Sequence, residues 1–124
     1  MPKARPKNLN LFSIHMPVNG LVSILHRVSG FVLFLVLPVL LLCLQQSLQS
    51  AESFERVQGM LTHPLVKLML LGLAWAFSHH FLAGLRHLAM DMHWGMTLAS
   101  ARITSKLVML GGLLLTLWLA AQIC

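Results

Sequence analysis

Apolar residues fall along the chain in three long stretches. The first covers residues 21–44, with Phe31–Leu44 as its most apolar part and Pro38 inside it. The second covers residues 65–88, and the third covers 103–123, densest over Leu107–Ala121. Crossing about 30 Å of hydrocarbon takes roughly 20 helical residues, so each stretch predicts one membrane span. Proline is tolerated in such a helix, where neighbouring groups satisfy the freed carbonyl. The segments between the stretches, 45–64 and 89–102, read as linkers. The first collects Ser, Gln, Glu and Pro and predicts a loop.

Composition agrees with this pattern. The 124 residues have room for a single domain, 1–124. Charged residues make up 10% of the chain and hydrophobic residues 57%, whereas soluble domains carry about 25% charged residues. A soluble enzyme, a disordered chain and a nucleic-acid binder are disfavoured together. The nine Lys and Arg against three Asp and Glu report membrane topology instead. Lys3, Arg5, Lys7, Arg27, Arg86, Arg102 and Lys106 fall on one side of the predicted membrane. Arg56 and Lys67 fall on the other, with Glu52 and Glu55. The positive-inside rule then puts the N-terminus in the cytoplasm and the C-terminus in the periplasm. No apolar core directly follows the basic residues of 1–20, so no cleavable signal peptide is expected. The predicted fold is all-α, an up-down-up set of three transmembrane helices. Three helices bury little surface among themselves, so polar faces on them point to partner helices.

Ionisable residues inside spans are costly and mark sites or partners. The second span holds Ser78, His79, His80, Arg86 and His87, with Asp91 just beyond. At 3.6 residues per turn, His80, Gly84, His87 and Asp91 share one narrow stripe. His80 and His87 lie about 10 Å apart along the helix axis, with bare backbone at Gly84 between them. A flat macrocycle suits this face. A neutral imidazole at His80 can ligate haem iron, and His87 can meet a propionate with Arg86 or Arg27. The alternative is a pair of histidines hydrogen-bonded to neighbouring helices. His79 complicates the choice of ligand, but only His80 shares a face with Gly84, so the spacing favours His80.

The first span opens with Ser23, His26, Arg27, Ser29 and Gly30. Ser23 and Arg27 are one turn apart on one face. A hydroxyl beside a guanidinium suits a quinone head group, whose oxygens gain negative charge on reduction. Arg27 also suits a haem propionate through charge-assisted hydrogen bonds. Equally, it suits an arginine that snorkels to the interface as a topology marker. His15, His63 and His93 fall in predicted loop or interfacial positions and read as solvated. Trp75 reads as packing, while Trp94 and Trp118 lie nearer the interfaces, where Trp is enriched. Cys43 and Cys124 form no disulfide framework, metal knuckle or haem-attachment motif.

Three blocks make the chain resemble the cytochrome b membrane-anchor subunit of bacterial succinate dehydrogenase, respiratory complex II. They are Arg5-Pro6-Lys7-Asn8-Leu9-Asn10-Leu11, Ser23-Ile24-Leu25-His26-Arg27-Val28-Ser29-Gly30, and His80-Phe81-Leu82-Ala83-Gly84-Leu85-Arg86-His87-Leu88-Ala89-Met90-Asp91. The last fits the family pattern H-x-x-x-G-x-R-H-x-x-x-D throughout. Order, spacing and layout agree with the family over nearly the whole chain; His79 is the departure. The resemblance implies that His80 is one axial ligand of a haem b, with the second supplied by a smaller anchor subunit. The chain is then half of a heterodimeric haem-binding bundle. It also implies that Ser23 and Arg27 line a ubiquinone site, and that Arg27 and His87 lie near the haem propionates. The implied partners are that second anchor, an iron–sulfur subunit, a flavoprotein subunit and membrane lipid, in the bacterial inner membrane. With no nucleotide loop, cysteine cluster or catalytic triad, the chain alone should oxidise nothing.

Three other functions compete with this one. A proton-coupled transporter usually carries a mid-membrane carboxylate, and all three acids here lie outside the span centres. A two-haem anchor of another quinone-linked oxidoreductase needs four ligands, and His26, His79, His80 and His87 crowd toward one side. A haem-free assembly subunit is the third; a fumarate reductase-like anchor remains the closest variant of the main reading.

Overall fold

The computed structural model describes residues 15–123, so the Arg5–Leu11 block, Lys3, Lys7 and Cys124 lie outside the described residues. Four helices follow in order: α1 (Val18–Ser47), α2 (Ala51–Leu61), α3 (Pro64–Asp91) and α4 (Leu98–Ile123). Helices α1, α3 and α4 are each long and apolar enough to cross a membrane. They contain the three predicted spans and extend past them. Helix α1 runs through Pro38 without ending.

The first linker is not the loop expected from its composition. It contains α2, an eleven-residue helix. Ser50 caps it: its hydroxyl accepts from the Ser53 N–H at 3.1 Å, and the Ser53 hydroxyl accepts from the Ser50 N–H at 3.0 Å. This reciprocal pairing satisfies two backbone donors that a helix start otherwise leaves orphaned. Phe54, Val57 and Leu61 recur at helical spacing and face Leu40, Cys43 and Leu44 of α1 across a shallow apolar cleft. Glu52, Glu55 and Arg56 are exposed. The helix is therefore amphipathic and lies against the far end of α1.

Helix α3 starts on Pro64, whose missing N–H costs nothing at the first helical position. His63 caps it, its Nδ1 accepting from the Leu65 N–H at 3.2 Å. The α3–α4 connection turns through His93 and Gly95, with φ of 63° and 70°. These left-handed conformations are easy for glycine and uncommon for other residues.

Helix α3 is the centre of the molecule and packs on both α4 and α1. The contact layer is thin. Val22 and Ala83 are fully buried and meet Val108, with Leu82 and Met109 beside them. Gly112 lets α4 approach the α3 backbone; a Cβ there would lie 3.6 Å from the His79 Cα. Most large apolar side chains, among them Phe34, Leu42, Leu85 and Leu114, point outward. Lipid and partner helices are the natural cover for such surfaces.

Candidate functional site

The polar residues of the spans converge where α1 crosses α3. Val22 and His26 present backbone carbonyls one helical turn apart, and the adjacent residues His79 and His80 each reach one of them. His79 is buried, 1% exposed. Its Nε2 lies 3.4 Å from the Val22 carbonyl oxygen and its ring stacks on Trp75 at 5.4 Å. Gly112 of α4 faces the His79 backbone from another side.

His80 differs from its neighbour. It is only partly buried, and its Nδ1 lies 3.0 Å from the His26 carbonyl oxygen. A carbonyl only accepts, so Nδ1 carries the proton and donates it. Nε2 then holds the free lone pair, the form in which a neutral imidazole binds a metal. Ser29, 2% exposed, joins the same group. Its hydroxyl donates to the His26 carbonyl at 2.9 Å and sits 3.3 Å from His80 Nδ1.

The His26 side chain lies between the two histidines of the α3 stripe. It stacks on His80 at 4.2 Å with the planes 12° apart, and meets the His87 ring at 5.0 Å, tilted by 44°. The His26 ring edge lies over the bare backbone at Gly84. A Cβ on Gly84 would stand 3.7 Å from His26 Nε2. Among the described residues no group of three or more His, Cys, Asp or Glu has the geometry to hold a metal ion.

Arg86, expected beside His87, instead turns toward α4. It is 9% exposed and its Nε donates to the Thr104 hydroxyl at 3.1 Å. Ser23 and Arg27 lie one turn apart on α1, half-buried and exposed respectively. Neither makes a side-chain hydrogen bond among the described residues. Asp91 is exposed at the end of α3, and His15, His63 and His93 are exposed. The residues of this cluster to which the sequence assigned no role are His26, Ser29 and Gly30. All three stood out as polar or small positions in an apolar span, but nothing in one chain's sequence says which residue of another helix they touch.

The model of the succinate dehydrogenase/fumarate reductase transmembrane subunit matches residues 1–119. The chain belongs to this family. Among its relatives is the succinate dehydrogenase cytochrome b556 subunit of Coxiella burnetii, 39% identical over 109 residues that cover 87% of each chain. The subunit of the same name from Rickettsia typhi is 28% identical over 115 residues, covering 93% of this chain and 90% of its own. That of Paracoccus denitrificans is 28% identical over 111 residues, covering 90% and 85%. The chain is thus a membrane anchor of the cytochrome b type, and its three long helices make it a multi-pass membrane protein.

Proposed function

We propose that this anchor subunit holds one axial side of a haem b through His80 and shares the haem with a second hydrophobic anchor subunit. Together the two anchors dock an iron–sulfur subunit and a flavoprotein on the cytoplasmic face of a bacterial inner membrane. The observation that carries the reading is the His80 Nδ1 to His26 carbonyl hydrogen bond of 3.0 Å. It fixes the ring and leaves Nε2 basic, as a ligating imidazole requires. One histidine of this kind in one chain fits a haem whose other ligand comes from elsewhere. His79, buried with its Nε2 against the Val22 carbonyl, is the weaker candidate. Haem, when bound, would supply a one-electron redox centre. His87 and Arg27 supply hydrogen-bond donors toward its propionates, on the side of the basic residues, and Gly84 keeps the backbone between His80 and His87 slim.

Ser23 and Arg27 hold a ubiquinone head group. At the flavin of a partner subunit, succinate loses two electrons and two protons to give fumarate; at the membrane, the quinone takes up two of each. The Ser23 hydroxyl and the Arg27 guanidinium donate to a quinone oxygen as negative charge grows there, and such donors need no reorganisation. The relatives named for succinate dehydrogenase favour succinate oxidation over fumarate reduction as the physiological direction.

The test is a reduced-minus-oxidised spectrum of membranes carrying all four subunits. The b-type bands are expected in the wild type and absent in His80→Leu, with the flavoprotein and iron–sulfur subunit still co-purifying. Full retention of the bands in His80→Leu would overturn the ligand assignment.

A further inference from the structure

Besides the His26 ring stacked on its face, three groups of α1 converge on the edge of the His80 ring, all of them in this chain. The His26 carbonyl accepts from Nδ1 at 3.0 Å. The Ser29 hydroxyl donates to that same carbonyl at 2.9 Å and lies 3.3 Å from Nδ1. Gly30 abuts the ring edge: a Cβ built there would stand 2.7 Å from His80 Cε1 and 3.2 Å from Nδ1. The first of these distances is shorter than real side chains allow, so no other residue fits without moving the ring.

We infer that Ser29 and Gly30 are positioning residues that set the rotation of His80 and the strength of its Nδ1 hydrogen bond, and through these the redox potential of the metal centre His80 serves. The inference rests on the proposed role of His80 as a haem ligand. The physical reasoning runs through the His26 carbonyl. Helix geometry already aims the Gly30 N–H at it. A carbonyl oxygen has two lone pairs, and the Ser29 hydroxyl claims part of what remains. The Ser29 hydroxyl therefore limits how strongly the carbonyl draws the Nδ1 proton. Hydrogen bonding at the distal ring nitrogen raises the basicity of the ligating one. A more basic imidazole favours oxidised iron, and outer hydrogen bonds are a recognised control on haem potential. Removing the Ser29 hydroxyl takes away both a donor to that carbonyl and a second acceptor 3.3 Å from the Nδ1 proton, and so shifts the potential. Adding a methyl group at Gly30 displaces the ring and weakens or breaks that bond.

The experiment uses the purified four-subunit complex, with haem per complex measured by extraction, the potential by redox titration and the ligand field by low-temperature electron paramagnetic resonance. Ser29→Ala is expected to keep full haem content with a shifted potential and a shifted low-field resonance. Ser29→Thr, which keeps the hydroxyl, is expected to restore both. If Ser29→Ala assembles poorly, Ser29→Val against Ser29→Thr provides the same contrast at equal bulk. Gly30→Ala is expected to broaden the resonance or lose haem. A wild-type potential and resonance in the hydroxyl-free variant overturns the inference. His80→Leu in the same series keeps the two ideas apart. Haem retained there overturns the ligand assignment, whereas haem lost there with an unaltered Ser29→Ala overturns only the role of Ser29.

Discussion

Arg86 and Thr104 join α3 to α4 through one hydrogen bond, the guanidinium Nε donating to the hydroxyl at 3.1 Å. Arg86 is almost fully buried, and no carboxylate pairs with it among the described residues. A buried charge that loses a hydrogen-bond partner is costly. Thr104→Val keeps shape and removes the acceptor. The expected loss is roughly 1 to 2 kcal/mol, toward the upper end for interhelical hydrogen bonds in membranes because the donor is charged. Thermal dissociation of the purified complex should fall for Thr104→Val and stay at the wild-type temperature for Thr104→Ser.

His79 and His80 should separate cleanly by substitution. His79 anchors α3 to α1 through Val22 and stacks on Trp75, so His79→Leu is expected to reduce stability while the b-type spectrum survives. Loss of the spectrum in His79→Leu, with full assembly and an intact His80, would count against the assignment of His80.

Ser23→Ala and Arg27→Leu are expected to slow quinone reduction by roughly tenfold to a hundredfold, the range set by loss of one or two donors to developing charge. Electron transfer from succinate to an artificial dye should persist, since the dye bypasses the quinone pocket. Equal loss of both activities would point to failed assembly.

Orientation can be read with an alkaline phosphatase fusion, which is active only outside the cytoplasm. The uneven placement of basic residues predicts activity for a fusion after Gln49, in the α1–α2 turn, and none after Met96, in the α3–α4 turn. The reverse pattern would invert the topology.

Hydropathy made the three spans legible because apolar runs of such length have few other uses. It did not mark their ends. Helix α1 continues to Ser47 and α3 to Asp91, since a helix can extend beyond the hydrocarbon, where polar side chains meet water. Helix α2 was hidden by its polar composition. Its cap pairs Ser50 with Ser53 in place of the more familiar acidic partner, and its apolar face has only Phe54, Val57 and Leu61. Along α3, the helical period alone grouped His80 with Gly84 and His87. The same period could not show that His26 would stand against Gly84, or that Arg86 would choose Thr104, because both depend on how one helix rotates against another.

The thin contact layer has a consequence for how the chain tolerates change. Its innermost positions hold Val22, Ser29, Ser78, Ser105, His79, Ala76 and Ala83, while its bulkiest apolar residues face outward. The Ser78 and Ser105 hydroxyls donate to carbonyls of their own helices, at 2.7 Å each, so small size rather than hydrophobicity is what those sites require. A complete substitution map of this subunit would therefore run opposite to that of a soluble domain. Leucine, phenylalanine and valine would exchange freely over much of the outside, and one added methylene group at Ala83 or Ser105 would push the helices apart.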